Sequence, residues 1–305
     1  MGNYGVVATR VHLWTMLGAG APKHPMTHLP WLLAYAAIGF ATYAHSRDHV
    51  SRMASLLCAF GVLSMPYLST HAALAGYADI WLTLSFTLGL LALLEYATCR
   101  RPQLAALTCL YALTCILCKN AGLGMGLILL FCLLGEALRW RKAFIAMLLF
   151  AGALAITLLT AALAGWAHVS LQIPGLGTLE LGNGFIKLPL VRELYLQPRP
   201  VFQAFGEATM TYANWHLAFP LFVAALPVLA FGNGRIRRAM RVPMVALGFC
   251  AIYFFCYFSF FSPESAQDHS GLSRTLLYVT PTLLLVAVTT FANAGTAGEE
   301  TASET

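Results

Sequence analysis

Three ionisable residues stand at the edges of apolar stretches, where an ionic side chain is expensive, and each suggests chemistry. Asp79 closes the run His71-Ala72-Ala73-Leu74-Ala75-Gly76-Tyr77-Ala78-Asp79 and opens an apolar segment over residues 80–97. Lys119-Asn120 separates the apolar segments 104–118 and 122–138, and Arg274 precedes the last one. A carboxylate in such a place can take a proton from a hydroxyl or orient a substrate. Lys119 and Arg274 suit a phosphate, and Asn120 places an amide beside a helix N-terminus, which itself favours anions. His71, Tyr77 and His216 add imidazole and aromatic faces of the kind that hold polyols.

Spacing alone also allows a plainer role for each. Asp79 suits the N-cap of a helix over 80–97, Lys119 a lysine snorkelling to an interface, and Arg274 an interfacial arginine. Glu264, Asp268 and His269 lie in one polar loop before Arg274, either as its partners or as a solvated connection.

The elements that must position these residues follow from composition. With 305 residues, 59% of them hydrophobic and 10% charged, the chain has more apolar side chain than a soluble domain of this length can hide. The fold class is therefore all-α, a polytopic transmembrane helical bundle with one long external loop. Apolar segments over 29–44, 53–69, 80–97, 104–118, 122–138, 144–168, 215–231, 243–261 and 276–291 predict about nine spans.

The formal charge of +6 comes from short basic clusters between these segments, which orient a chain in a membrane and exclude nucleic acid as a partner. Arg47 with Arg52, Arg100 with Arg101, Arg139 to Lys142, and Arg235 to Arg241 occupy alternate connections, which the positive-inside rule assigns to the cytoplasm. His71, Tyr77, Asp79, Lys119, Asn120, His216 and Arg274 then share the opposite rim. Trp31, Trp81, Trp140, Trp166 and Trp215 fall at span ends, as an interfacial belt would.

The domain plan has three parts: an external segment over 1–28 with an interfacial helix near 5–18, the transmembrane body over 29–292, and a disordered acidic cytoplasmic tail over 293–305. The loop over 169–214, rich in Gly and Pro, reads as a lid over the site. The eight cysteines lie in or at the ends of apolar segments, so they form no disulfide framework, and Cys115-Ile116-Leu117-Cys118 reads as packing. His24 and His28 are four apart, but Pro25 and Pro30 interrupt a helix there, and no ligand cluster for a metal emerges.

Three short elements carry a family resemblance. His71-Ala72-Ala73-Leu74-Ala75-Gly76-Tyr77-Ala78-Asp79-Ile80-Trp81 resembles the Gly-Tyr-Ala-Asp element of the GT-C superfamily of polytopic membrane glycosyltransferases. Lys119-Asn120-Ala121-Gly122 is similar to that superfamily's Lys-Asn-Glu-Gly element, with Ala121 in place of the Glu. Arg274-Thr275-Leu276, followed by Pro281, resembles its R-x-L-x-x-x-x-P entrance to a late helix. The likeness covers most of 29–291 in layout and points to the RgtA/B/C/D-like and aminoarabinose-transferase-like branches.

The resemblance implies transfer of a sugar, with inversion, from a polyprenyl-phosphate donor to an external acceptor in the cell envelope. It implies no bound cofactor, and membrane lipid, donor and acceptor as partners. The expected setting is a bacterial inner membrane. It assigns Asp79 as the catalytic or substrate-orienting carboxylate, Lys119 and Arg274 to the lipid-linked phosphate, and His71, Tyr77, Asn120 and His216 to the substrate. The superfamily's leading acidic motif lies in a first external loop, and the resemblance implies that this chain starts inside that loop. Two other classes fit the same pattern: a transporter or flippase for lipid-linked sugar, and a non-catalytic member of the family.

Overall fold

The computed structural model describes residues 6–20, 25–74, 76–138, 169–173, 177–182, 185–187, 193–195, 200–232, 234–260 and 262–303. They fall into two units: Met1–Leu133, Gly206–Ala251 and Ser273–Thr305 form one, and Leu134–Phe205 with Ile252–Leu272 the other.

The first unit begins with helices α1 (Val6–Ala19), α2 (Leu29–Arg47), α3 (Arg52–Leu63), α4 (Pro66–Ala73), α5 (Asp79–Cys99), α6 (Pro102–Cys118) and α7 (Asn120–Ala137). Prolines mark several starts, in the first turns of α2, α4 and α6, where the missing N–H leaves no helix bond unmade. Ser51 caps α3 by accepting a hydrogen bond from the Ala54 N–H at 3.3 Å. Helix α5 ends where Arg100 turns left-handed, at φ 55°.

Helix α5 is the centre of this unit because most of its first half is buried, apart from a half-buried stripe through Trp81, Leu84, Leu88 and Leu91. Ile80, Leu82, Phe86, Leu90 and Leu93 are fully or almost fully covered, and so are Thr83, Ser85 and Thr87. Helices α2, α4 and α6 pack on it. The Thr83 hydroxyl is satisfied within the helix, donating to the Asp79 carbonyl at 2.9 Å. Small residues set the approach of α7 to α6: a Cβ on Gly126 would lie 2.5 Å from the Ala112 carbonyl oxygen, which is backbone and cannot yield.

The rest of the unit comprises a π-turn (Glu207–Thr211), a 3-10 turn (Ala213–Trp215) and two more helices, Ala218–Phe231 and Thr280–Ser303, which pack together. The second unit carries α8 (Phe202–Gly206) and a four-stranded antiparallel meander, β1 (Val169–Ile173), β2 (Gly177–Gly182), β3 (Phe185–Lys187) and β4 (Glu193–Tyr195). The remaining helices are numbered in chain order: α9 (Ala218–Phe231), α10 (Gly234–Phe260), α11 (Pro263–Gln267), α12 (Ser270–Leu277) and α13 (Thr280–Ser303). Phe202 and Phe205 stack against Phe255 of α10, with ring centres 4.6 Å and 6.1 Å apart.

Helices α5 and α7 and the stretch Met240–Phe260 are long and apolar enough to cross a membrane, consistent with an integral membrane protein. Large exposed side chains such as Phe40, Phe60 and Leu127 give the surface that lipid would solvate. Among the described residues, two bent pairs raise the candidate spans from three to five, against nine expected over the whole chain. The expected span over 53–69 is broken into α3 and α4, bent by 61°, because Pro66 cannot donate to the preceding turn. The last expected span is likewise α12 and α13, bent by 49°. Helices α6 and α9 have 17 and 14 residues, short of a span. The expected span over 144–168 lies outside the described residues.

Other expectations are corrected in the same way. The fold is helical but not all-α, since the loop expected over 169–214 holds the meander, in which Val169 pairs with Leu181, Leu171 with Leu179 and Ile186 with Leu194. Alternating apolar residues at Val169, Leu171 and Ile173 give the period of a strand. Helix α13 continues to Ser303 through the tail read as disordered, where Ala and Glu are good helix formers. Trp31 and Trp215 are fully buried rather than interfacial, each with its indole N–H donating to a backbone carbonyl. Trp140 and Trp166 lie outside the described residues.

Candidate functional site

Asp79 is the first residue of α5 and is fully buried. An ion taken out of water needs partners, and this carboxylate has several. The Lys119 ammonium donates to Oδ1 at 2.8 Å, and the Tyr278 hydroxyl donates to the same oxygen at 2.5 Å. Arg274 donates from Nη2 to Oδ2 at 2.8 Å. Lys119 also donates to the Tyr278 hydroxyl oxygen at 3.2 Å, so cation, phenol and carboxylate form one network. Two cations thus share one carboxylate.

Local backbone explains how these side chains arrive. Lys119 is the single extended residue between α6 and α7, at φ −167° and ψ 158°, and that kink turns its side chain out of both helices. Arg274 lies in the last turn of α12, and Tyr278 follows four positions later, on the same face, at the bend before α13. His71 lies in the last turn of α4 and Tyr77 in the connection to α5. That connection turns at Gly76, whose φ of +98° only glycine adopts readily, and it is pinned by the Trp31 indole donating to the Tyr77 carbonyl at 2.8 Å.

Aromatic rings line one side of the network. The Arg274 guanidinium lies over the Tyr77 ring, 5.0 Å from its centre. The His71 ring sits between Tyr67, at 4.8 Å, and Tyr77, at 5.9 Å, and Tyr67 in turn meets Trp215 at 5.4 Å. His71 Nδ1 faces Asp79 Oδ2 at 3.7 Å, beyond hydrogen-bond reach, and this buried nitrogen has no hydrogen-bond partner among the described residues.

The structure thus brings together Asp79, Lys119, Arg274, His71 and Tyr77. It leaves Asn120 exposed at the start of α7, outside the network. His216 is also exposed and elsewhere, with Nε2 2.8 Å from the Ser64 carbonyl oxygen. Tyr278 and Tyr67 were not singled out from the sequence, although each stands four residues from one that was, Arg274 and His71 respectively.

In the loop before α12, exposed Asp268 accepts hydrogen bonds from the Ser270 backbone N–H at 2.9 Å and its hydroxyl at 2.8 Å. Those bonds hold its carboxyl below the usual carboxylate range. Asp268 is therefore a solvated turn residue. Among the described residues no group of three or more His, Cys, Asp or Glu is placed to hold a metal ion. The chain matches no family model, no curated protein and no solved structure.

Proposed function

We propose that this chain is a membrane glycosyltransferase-like protein whose Lys119 and Arg274 hold the phosphate of a polyprenyl-phosphate sugar, for transfer of the sugar to an acceptor hydroxyl. One observation carries this reading: two cations are fixed on a single buried carboxylate at the end of an apolar helix bundle. A phosphate monoanion or diester offers the oxygens that Arg and Lys bond best. Tyr77 and Tyr67 supply faces for a sugar ring, and Asp79 keeps the two cations in register.

Binding of farnesyl phosphate and of farnesol to the full chain in lipid nanodiscs tests this. The phosphate should bind at least about tenfold more tightly than the alcohol, as one or more charge-assisted hydrogen bonds of about 1.5 to 3 kcal/mol require. Arg274→Ala should remove most of that difference. Equal affinity for the two compounds, or a preference that survives both Arg274→Ala and Lys119→Met, would end the phosphate reading.

A second reading is binding of the lipid-linked sugar without turnover. It is favoured by the state of Asp79, whose two oxygens already accept three hydrogen bonds, so that it is a poor base. Release of farnesyl phosphate from a farnesyl-phosphoryl hexose, measured with purified chain, separates the two readings.

A further inference from the structure

We infer that His71 is the proton acceptor of this site and that Asp79 acts through it as a positioning residue. The inference rests on the transfer reading above and assigns its missing base. Asp79 itself is ill-placed for that task. It is fully buried, Oδ1 takes hydrogen bonds from Lys119 and Tyr278, and Oδ2 takes one from Arg274. Its remaining acceptor site, on Oδ2, is the one that faces His71 Nδ1.

His71 has the complementary character. It is 4% exposed, and its Nδ1 is buried without a hydrogen-bond partner among the described residues, 3.7 Å from Asp79 Oδ2. A neutral imidazole carries one N–H and one lone pair. A lone pair on Nδ1 would face the carboxylate's own lone pairs and be repelled. The tautomer assigned from this geometry therefore has its proton on Nδ1, towards Asp79, and its lone pair on Nε2. Tyr67 and Tyr77 clamp the ring from two sides, which fixes the direction of that lone pair. The separation of 3.7 Å is of the kind that tightens when substrate binds.

The titratable and charged groups around His71 come from five places: Tyr67 of its own helix, Tyr77 of the connection, Asp79 of α5, Lys119 at the α6–α7 junction and Arg274 of α12. Together they separate the charges that the reaction moves. The acceptor hydroxyl gives its proton to Nε2 as its oxygen forms a bond to the anomeric carbon. The bond from that carbon to the phosphate oxygen breaks, and its electron pair leaves with the phosphate. The new imidazolium faces Asp79, and the departing phosphate faces Lys119 and Arg274.

The test uses the full chain in proteoliposomes, with ¹⁵N-labelled histidine and assignment of the His71 signals by comparison with His71→Asn. Solid-state ¹H–¹⁵N spectra should show Nδ1 protonated and Nε2 bare, and Asp79→Asn should shift His71 toward the other tautomer. Farnesyl phosphate should perturb the Nε2 signal, while His71→Asn should bind farnesyl phosphate within about twofold of wild type, against the tenfold scale of a lost phosphate ligand. A proton on Nε2 in the wild type would overturn the inference. So would a loss of farnesyl phosphate binding in His71→Asn as large as in Arg274→Ala, which would make His71 a phosphate ligand. Failure of wild-type chain to bind farnesyl phosphate would instead remove the phosphate reading, while the tautomer measurement would still report on His71 and Asp79.

Discussion

Helix α5 carries one acid at each end, and the two live in different worlds. Asp79, at its start, is fully buried and held by Lys119, Arg274 and Tyr278. Glu95, near its other end, is exposed on the wall of an open cavity of about 1330 Å³ that it shares with His45, Asp48, His49, Arg100 and Arg241. A carboxylate in contact with solvent needs no fixed partner, because water and mobile counter-charges serve it. A carboxylate sealed from water persists only with donors locked around it. The neighbours of Asp79 are consequently held by specific backbone devices, an extended residue at Lys119 and a helix bend after Arg274, whereas Arg100 stacks loosely over Tyr96 at 5.4 Å.

The contrast can be broken most directly at Asp79. Replacing it with Ala strands two cations in a covered site and should cost about 3 to 5 kcal/mol. Reversible unfolding in mixed micelles measures this, and adding Lys119→Met should return part of the loss. A loss no greater than that of Glu95→Ala would erase the distinction between the two ends.

A smaller effect sharpens the comparison. Tyr278→Phe keeps the ring and removes both the hydrogen bond donated to Asp79 and the longer one accepted from Lys119, which should cost about 1.5 to 3 kcal/mol in the same assay. Loss of stability well below that range would mean that the two cations alone suffice to hold Asp79. The smallest effect belongs to Glu95→Gln, which should lie within about 0.5 kcal/mol of wild type. A larger change would show that the open end carries its own fixed pairing.

The candidate site was legible in the sequence to the extent that charge was scarce. Asp79, Lys119 and Arg274 stood out because each interrupts apolar surroundings, and His71 and Tyr77 because they adjoin Asp79. Tyr278 and Tyr67 did not stand out, since tyrosines at apolar segment ends are ordinary. Their value depends on which residues of other helices they meet. His216 suits a polyol by its type, and the contact the structure gives its ring is with the Ser64 carbonyl, before α4.

Parts of the fold were readable but outweighed. Pro66 carried the signal for the break between α3 and α4, and hydropathy averaged over a whole span concealed it. Gly182-Asn183-Gly184 between alternating apolar residues is a hairpin signal that the overall Gly and Pro content obscured.

The sequence by itself determined that apolar helices dominate this chain, and which few residues could bear charge at their ends, because burial cost and helix periodicity are properties of local composition. Only the tertiary structure decided that Asp79, Lys119, Arg274 and Tyr278 meet at one point, and that Asp79 accepts three hydrogen bonds while His71 Nδ1 has none among the described residues. Lys119 is 40 positions from Asp79 and Tyr278 is 199 from it, distances along the chain that no local rule spans. What joins them is the burial of Asp79 at the first turn of α5, which forces its charge to find partners in neighbouring helices.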